Sequence, residues 1–444
     1  MLRKITLLYI GLSLAFISFS QEVWSLEKCI NHARQNNLTL KGAEIAISRA
    51  ELSEKGSRMA RLPRVNASTN FGFQYGRNID PTTNDFINTR LGFNNISLDA
   101  NLTAYNGGRI NNTIRQSQHD LMAAREDANS TFQNIALQMA SAYLNILLAK
   151  EQVSIARTAL AQSREQLQQI DKRIEAGTVP KADRLDIVAQ IARNEQTLVQ
   201  AENTVEINNI TLKNLLELDP EYDLLVDIPE EIMEVDESSM TYTFGIVYTS
   251  ALNNQPSIRA SEARMKSAEL SVPIARSDAL PRVVIFAGMD TRYSNISNFP
   301  NNDPYFDQID RNFGQTLGAQ VSIPIYNNHQ TSLSIQNARL GIINSELDNR
   351  QAKQTLKADI QNYIANARAS QTELAASKKS LEAAKAAYEN AEKRYQLGAI
   401  NTLELTTAKT NLDTAELNVA RAKYDFVFRI KILDFYMGKP LNLN

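Results

Sequence analysis

Four segments of this 444-residue chain alternate strictly between apolar and polar positions. In the first, Ala67, Thr69, Phe71, Phe73 and Tyr75 share one face against Ser68, Asn70, Gly72 and Gln74. In the second, Ile96, Leu98, Ala100, Leu102 and Ala104 oppose Asn95, Ser97, Asp99, Asn101 and Thr103. Val283, Ile285, Ala287, Met289 and Tyr293, then Leu317, Ala319, Val321, Ile323 and Ile325, repeat the same phase. Period two with one apolar face predicts β-strands over about 66–75, 95–104, 283–293 and 315–325. Between them the period changes. Past Gly107-Gly108 no proline or glycine interrupts the chain before Ala176, and between Asn328 and Leu397 the only interruption is Gly341. The pattern predicts helices over about 107–176, 180–218, 328–397 and 401–437, the longest spanning roughly 100 Å at 1.5 Å per residue. Ile191, Leu198, Ala201, Val205, Leu212 and Leu215 match Leu412, Val419, Ala422, Phe426, Leu433 and Tyr436 in register. Their spacing of three and four is that of a coiled-coil seam.

These elements occur twice. Leu62-Pro63 recurs as Leu280-Pro281, an offset of 218 residues, and Tyr105-Asn106 recurs as Tyr326-Asn327, an offset of 221. The first copy covers 21–218 and the second 244–444, each a helix, two strands, a very long helix and a returning one. Such a period must be found first, because it governs the fold. Gly177 and Gly398 stand where each long helix must reverse, and Pro180 suits the start of a returning helix. Each copy is therefore expected to form a helical hairpin with its tip far from the strands. Between the copies, 219–243 reads as an acidic linker strapped around the helices. From Asn214 to Ile258 there are ten Asp or Glu residues and no Lys or Arg.

Composition agrees with long solvated helices: 16 Gly, 12 Pro and a mean hydropathy of −0.33. A net charge of −2 with scattered basic residues offers no nucleic-acid footprint. Arg3 and Lys4 precede an apolar run from Ile5 to Phe19, and Ser18-Phe19-Ser20 offers a small-residue cleavage site. Residues 1–20 thus read as a secretory signal peptide, too short for an anchor that needs about 20 apolar residues. No later segment is apolar for that length. The lone Cys29 makes no internal disulfide, and His32, His119 and His329 lack metal spacing. No metal or other cofactor is expected, and the acidic linker lacks the ligand spacing of a calcium loop. There is no phosphate-binding glycine loop, nucleophile elbow or metal triad, so the chain does not read as an enzyme.

A soluble half-buried sheet would show the same alternation. Strands of about ten residues, Tyr75 and Tyr293 at one rim, and Tyr105 and Tyr326 at the other match a membrane barrel better. The connections 76–94 and 294–312 read as long polar external loops. Four strands cannot close, and an open edge in hydrocarbon leaves backbone groups unsatisfied at several kcal/mol each. The barrel must therefore be shared between chains.

Several marks, none strong alone, are specific in their duplicated order: Leu26-Glu27-Lys28-Cys29-Ile30 with Asn36-Asn37, the Leu-Pro pairs, Tyr105-Asn106-Gly107-Gly108-Arg109, and the tip glycines. In these the chain resembles the TolC-type outer-membrane efflux family over essentially its whole length. The second copy departs at Asn328-His329, which predicts a differently capped helix start. The resemblance implies a mixed α/β membrane protein: a homotrimer whose four strands per chain make a 12-stranded barrel in the outer-membrane bilayer. Long antiparallel coiled coils would continue it as a periplasmic tunnel. It implies a passive exit duct for drug efflux or type I secretion, joined to an inner-membrane transporter through a periplasmic adaptor. Carried over by position, the tunnel-entrance carboxylates are Asp183 and Glu404, six residues after each tip glycine. Asp186 follows in the first copy, where the second has Thr407. The adaptor-docking tips are Gly177, Thr178, Val179, Gly398, Ala399 and Ile400. Carboxylates converging on a narrow mouth favour cations; an acid in a first helical turn also stabilises the helix by about 0.3–1 kcal/mol with no gate at all. A periplasmic coiled-coil adaptor is the competing reading, although adaptors carry one hairpin rather than two.

Overall fold

A computed structural model of the chain describes residues 23–79, 85–229, 242–296 and 303–441. The signal-peptide reading and the linker stretch 230–241 lie outside the described residues. In chain order the elements are β1 (Val23–Trp24), α1 (Leu26–Asn36), α2 (Leu38–Met59), β2 (Arg64–Ile79), β3 (Phe86–Asn106), α3 (Arg109–Glu175) and α4 (Ala182–Leu216). Then follow β4 (Leu225–Val226), α5 (Phe244–Asn254), α6 (Pro256–Arg276), β5 (Arg282–Ile296), α7 (Tyr305–Arg311), β6 (Gly314–Ser322), α8 (Gln330–Gln396) and α9 (Thr402–Tyr436). Two compact units result: a strand-bearing one, Ile45–Glu126 with Arg259–Gln351, and a helical one built from the rest.

The strand-bearing unit holds one antiparallel sheet in the order β2-β3-β5-β6. Its register puts Ala67 opposite Leu98, Leu98 opposite Met289 and Ala287 opposite Leu317. One face is therefore apolar and the other carries Ser68, Asn70, Ser97 and Asp99. The apolar face is bare in a single chain, with Phe71 83% and Leu317 80% exposed.

Three local expectations need correction. The 76–94 connection is mostly strand: β2 runs 16 residues and β3 21, and the ladder reaches Ile79 opposite Phe86. Beyond Tyr75 the alternation of side chains fades, but ladder bonds need only the backbone. Arg90 stacks on Phe73 at 3.9 Å and Arg77 on Phe86 at 4.2 Å, covering this stretch with cation–π pairs. The fourth strand ends at Ser322 rather than near 325, because Pro324 has no N–H to offer a ladder. In the 294–312 connection β5 continues to Ile296, and α7 then folds back onto it. The Gln308 side chain accepts from the Ser294 N–H (3.1 Å) and donates to the Ser294 carbonyl (3.2 Å), while Asn312 donates to the Arg292 carbonyl (2.8 Å). Beyond Asp290, where β6 stops, these side chains satisfy backbone groups that a strand would otherwise pair.

The expected difference in capping between the two helix starts is confined to side chains. Gly107 and Gly108 adopt φ of 65° and 80°, and Asn328 and His329 adopt 50° and 60°. In the first copy the Ile110 N–H donates to Asn106 Oδ1 (3.3 Å); in the second Asn327 Nδ2 donates to Thr331 Oγ1 (2.6 Å). The backbone turn is kept, at a conformational cost to two residues that carry Cβ atoms.

In the helical unit the helix ahead of each first strand is split. Asn37 ends α1 through its N–H to the Ala33 carbonyl, and its side-chain oxygen accepts from the Thr39 and Leu40 N–H groups to start α2. In the second copy Gln255 ends α5 and Pro256 opens α6, a position where a missing N–H costs nothing. The main core gathers Met139, Tyr143, Ile146, Leu147, Leu212 and Leu216, all below 2% exposure. The start of the linker is clasped to this core: β4 pairs in parallel with β1, and the Tyr143 hydroxyl lies 3.0 Å from the Trp24 carbonyl and 2.7 Å from that of Asp227. Burial raises that hydroxyl's pKa, so it stays a donor.

Candidate functional site: the hairpin tips

Both long helices end in the same hydrogen-bonded stop. Thr178 N–H donates to the Arg173 carbonyl (2.9 Å) and Gly177 N–H to that of Ile174 (2.9 Å); Ala399 and Gly398 do the same to Arg394 (2.8 Å) and Tyr395 (3.0 Å). This pattern closes on a left-handed residue, which Gly177 (φ 69°) and Gly398 (φ 73°) supply without strain. No atom lies within 4 Å of a Cβ built on either glycine. The chain reversal needs the backbone freedom; the tip itself is open. Val179 and Ile400 are half-buried beneath the exposed Thr178 and Ala399.

Asp183 and Glu404 stand in the first turns of the two returning helices, with Asp186 further along α4. Glu404 is exposed, and its N–H is held by the Asn401 side chain at 2.9 Å, the N-cap of α9. Asp183 is half-exposed, on a helix start with no side-chain cap. Asp186 is exposed, as is Thr407, whose hydroxyl turns back to the Leu403 carbonyl at 2.8 Å. Among the described residues none of these three carboxylates forms a salt bridge, although Arg184 beside Asp183 pairs with Asp171 at 2.9 Å. Their charges are thus not offset by an ion pair among the described residues. The first-turn positions of Asp183 and Glu404 also satisfy the plain helix-stabilising role.

Sequence reasoning missed how the two hairpins meet near these tips. The Arg173 guanidinium of the first hairpin lies over the Tyr395 ring of the second at 5.1 Å. Between them is a cleft of about 340 Å³ lined by Gln166, Arg173, Ile187, Tyr388, Tyr395 and Leu405. Further along α9, Lys409 is 5% exposed and paired with Asp413 at 2.6 Å, a charged layer inside a seam that heptad spacing reads as apolar. The first hairpin has a neutral layer instead, Gln190, Asn194 and Ser163 joined by bonds of 3.0 and 2.7 Å. No periodicity signal marks either. Among the described residues no cluster of three or more His, Cys, Asp or Glu is placed to hold a metal ion, and no helix is long and apolar enough to cross a membrane.

A family model described as outer membrane efflux protein matches residues 29–217 and 247–438, which are the two copies. The chain is 22% identical to outer membrane protein TolC of Vibrio cholerae, over 97% of this chain and 94% of that one. It is 24% identical to the alkaline protease secretion protein AprF of Pseudomonas aeruginosa, over 86% and 77%. A crystal structure of CusC superposes with a TM-score of 0.79 at 17% identity, covering 96% of both chains. A match to both copies favours the channel over the adaptor. The chain belongs to the outer membrane efflux protein family, and it is an outer-membrane channel of an efflux or secretion system with its helical part in the periplasm.

Proposed function

We propose that three copies of this chain close a 12-stranded barrel and a helical tunnel, forming a passive exit duct. The observation that carries this is the four-stranded sheet whose edge strands, β2 and β6, pair with no further strand among the described residues, beneath a bare apolar face. A bilayer tolerates the face but not the edges. Only other copies of the same sheet satisfy both. On this reading Asp183, Glu404 and Asp186 from each copy converge at the periplasmic mouth, and the asymmetry at Thr407 makes the two hairpins unequal gate elements. An inner-membrane transporter would reach the duct through a periplasmic adaptor engaging Gly177, Thr178, Val179, Gly398, Ala399 and Ile400. The uncrowded glycine turns support that docking role, since among the described residues no atom lies within 4 Å of a Cβ built on Gly177 or Gly398. AprF is by name a protease secretion protein, and the efflux name belongs to the family; both cargo classes fit a duct whose polar strand face is generic.

Single channels in planar bilayers test the gate. Replacing Asp183 and Glu404 with Ala should lower cation selectivity and relieve block by divalent cations, because it removes unneutralised charge from the mouth. Unaltered selectivity in the double variant would leave these carboxylates with only their helix-capping role.

A further inference from the structure

The ladder register sorts the residues of the four-stranded sheet onto two faces. On the apolar face stand the odd-numbered residues of β2, from Val65 to Ile79, opposite the even-numbered residues of β3 from Ala100 to Phe86. Strands β5 and β6 add alternate residues from Val283 to Asn295 and from Gln315 to Val321. Among the described residues this face carries two charged side chains, Arg77 and Arg90. The other charged residues of the ladder, Arg64, Asp99, Arg282, Asp290 and Arg292, lie on the polar face.

Both arginines sit at one end of the sheet. The long helices leave from the other end, after Asn106 and Ser322, and that end is the periplasmic one. Val65 and Arg77 are 12 residues apart, roughly 40 Å of strand at about 3.3 Å per residue. A tilt of about 45° turns that into roughly 28 Å of height, just beyond an apolar band about 25 Å tall. The two guanidiniums therefore stand at the external headgroup level, where a charge costs far less than at mid-bilayer.

We infer that Arg77 and Arg90 bind the phosphate of an anionic lipid in the outer leaflet. The inference rests on the barrel reading proposed above. Arg90 stands opposite Tyr75 and Arg77 opposite Asn88, which makes the arginines diagonal neighbours with Cβ atoms about 7–8 Å apart. Like charges so placed repel, and among the described residues neither pairs with a carboxylate. A phosphate between them supplies the missing charge.

The side chains are already positioned for it. Arg90 lies over the Phe73 ring at 3.9 Å and Arg77 over the Phe86 ring at 4.2 Å. Such a contact uses the face of the guanidinium and leaves its in-plane N–H donors for forked recognition of phosphate oxygens. Holding the side chains on rings also lowers the freedom lost when the ligand arrives. Directly below, Phe71, Phe73 and Tyr75 are 83, 59 and 72% exposed and continue the same face towards the bilayer centre. They offer acyl chains a surface that a free anion would not need, which favours a lipid over inorganic phosphate.

Native mass spectrometry of the detergent-purified full chain tests this with three probes: diphosphoryl lipid A, the same lipid without phosphate, and inorganic phosphate. The unmodified protein should retain the phosphorylated lipid several-fold better than the phosphate-free one. Arg77→Gln with Arg90→Gln should abolish that preference; both side chains are exposed and the ladder is built from backbone, so the fold stays. Arg77→Lys with Arg90→Lys should keep part of it, since an ammonium brings charge without the fork. Arg292→Gln removes the same charge from the exposed polar face and should change nothing. Equal retention of the two lipids, an equal loss in Arg292→Gln, or full displacement by millimolar inorganic phosphate would overturn the site. If the unmodified chain also fails to conduct in planar bilayers, the barrel reading falls with it; a conducting channel without the lipid preference sinks the site alone.

Discussion

Replacing Gly107 with Ala probes the junction where each first copy turns from strand into long helix. Two costs add there. Its φ of 65° is left-handed, which costs a residue with a Cβ about 1–2 kcal/mol. The new Cβ would also sit 2.8 Å from Leu280 Cβ and 3.1 Å from Ser277 Cα, a packing conflict worth about 1–3 kcal/mol. Against these stands the lower unfolded-chain entropy of Ala, about 0.5–1 kcal/mol. The net expectation is a loss of about 1–4 kcal/mol. Gly177→Ala isolates the first cost, since its φ is 69° and no atom lies within 4 Å of its Cβ. Asn328→Gly reverses the sign of the strain but adds entropy to the unfolded chain, so it should move stability by less than about 1 kcal/mol. The assay is urea unfolding of the detergent-solubilised protein, followed by heat-modifiable migration and far-ultraviolet circular dichroism. Gly107→Ala costing no more than Gly177→Ala would refute the packing argument. A large loss in Asn328→Gly would refute the claim that both copies share one backbone turn.

Three further outcomes concern the helical core. Tyr143→Phe removes the hydroxyl that holds the Trp24 and Asp227 carbonyls; it should cost about 1–3 kcal/mol and speed hydrogen exchange at Val226 and Asp227, and unchanged exchange would contradict the clasp. Burial pushes the Cys29 thiol up to about 12 from 9.0. Cys29 should therefore resist maleimide at pH 8 until the protein is unfolded, and labelling of the folded protein would contradict its burial. The folded state holds this proton longer than the unfolded one, so stability is lost as pH rises from about 9 towards 12.

The strands were legible where one face is apolar, as at Phe71 and Leu98, because side-chain period reports burial. They were illegible at Arg77 and Arg90, which break the apolar face in phase with Tyr75 while Leu91 and Phe93 fall on the other face, so the period is lost although the backbone ladder continues. The tip glycines could be read because a left-handed stop favours glycine; Asn328 and His329 adopt the same region and hide it. The β1 and β4 clasp is two residues long, below any periodic signal. Lys409 with Asp413 sits at seam positions where spacing predicts apolar residues, so its neutralising partner is visible only in the fold. Asp183 and Glu404 are candidates carried over from the family resemblance by their place after the tip glycines. In the proposed assembly what faces them belongs to neighbouring copies, and no single chain carries that information.

On the proposed function, several copies of this chain together make a water-filled path through a bilayer. Adding the purified full chain to a planar bilayer tests it most directly. Discrete, cation-selective conductance steps carried by the trimeric fraction are predicted. A trimeric fraction that associates with the bilayer yet conducts nothing, with and without the Asp183 and Glu404 replacements, would contradict it.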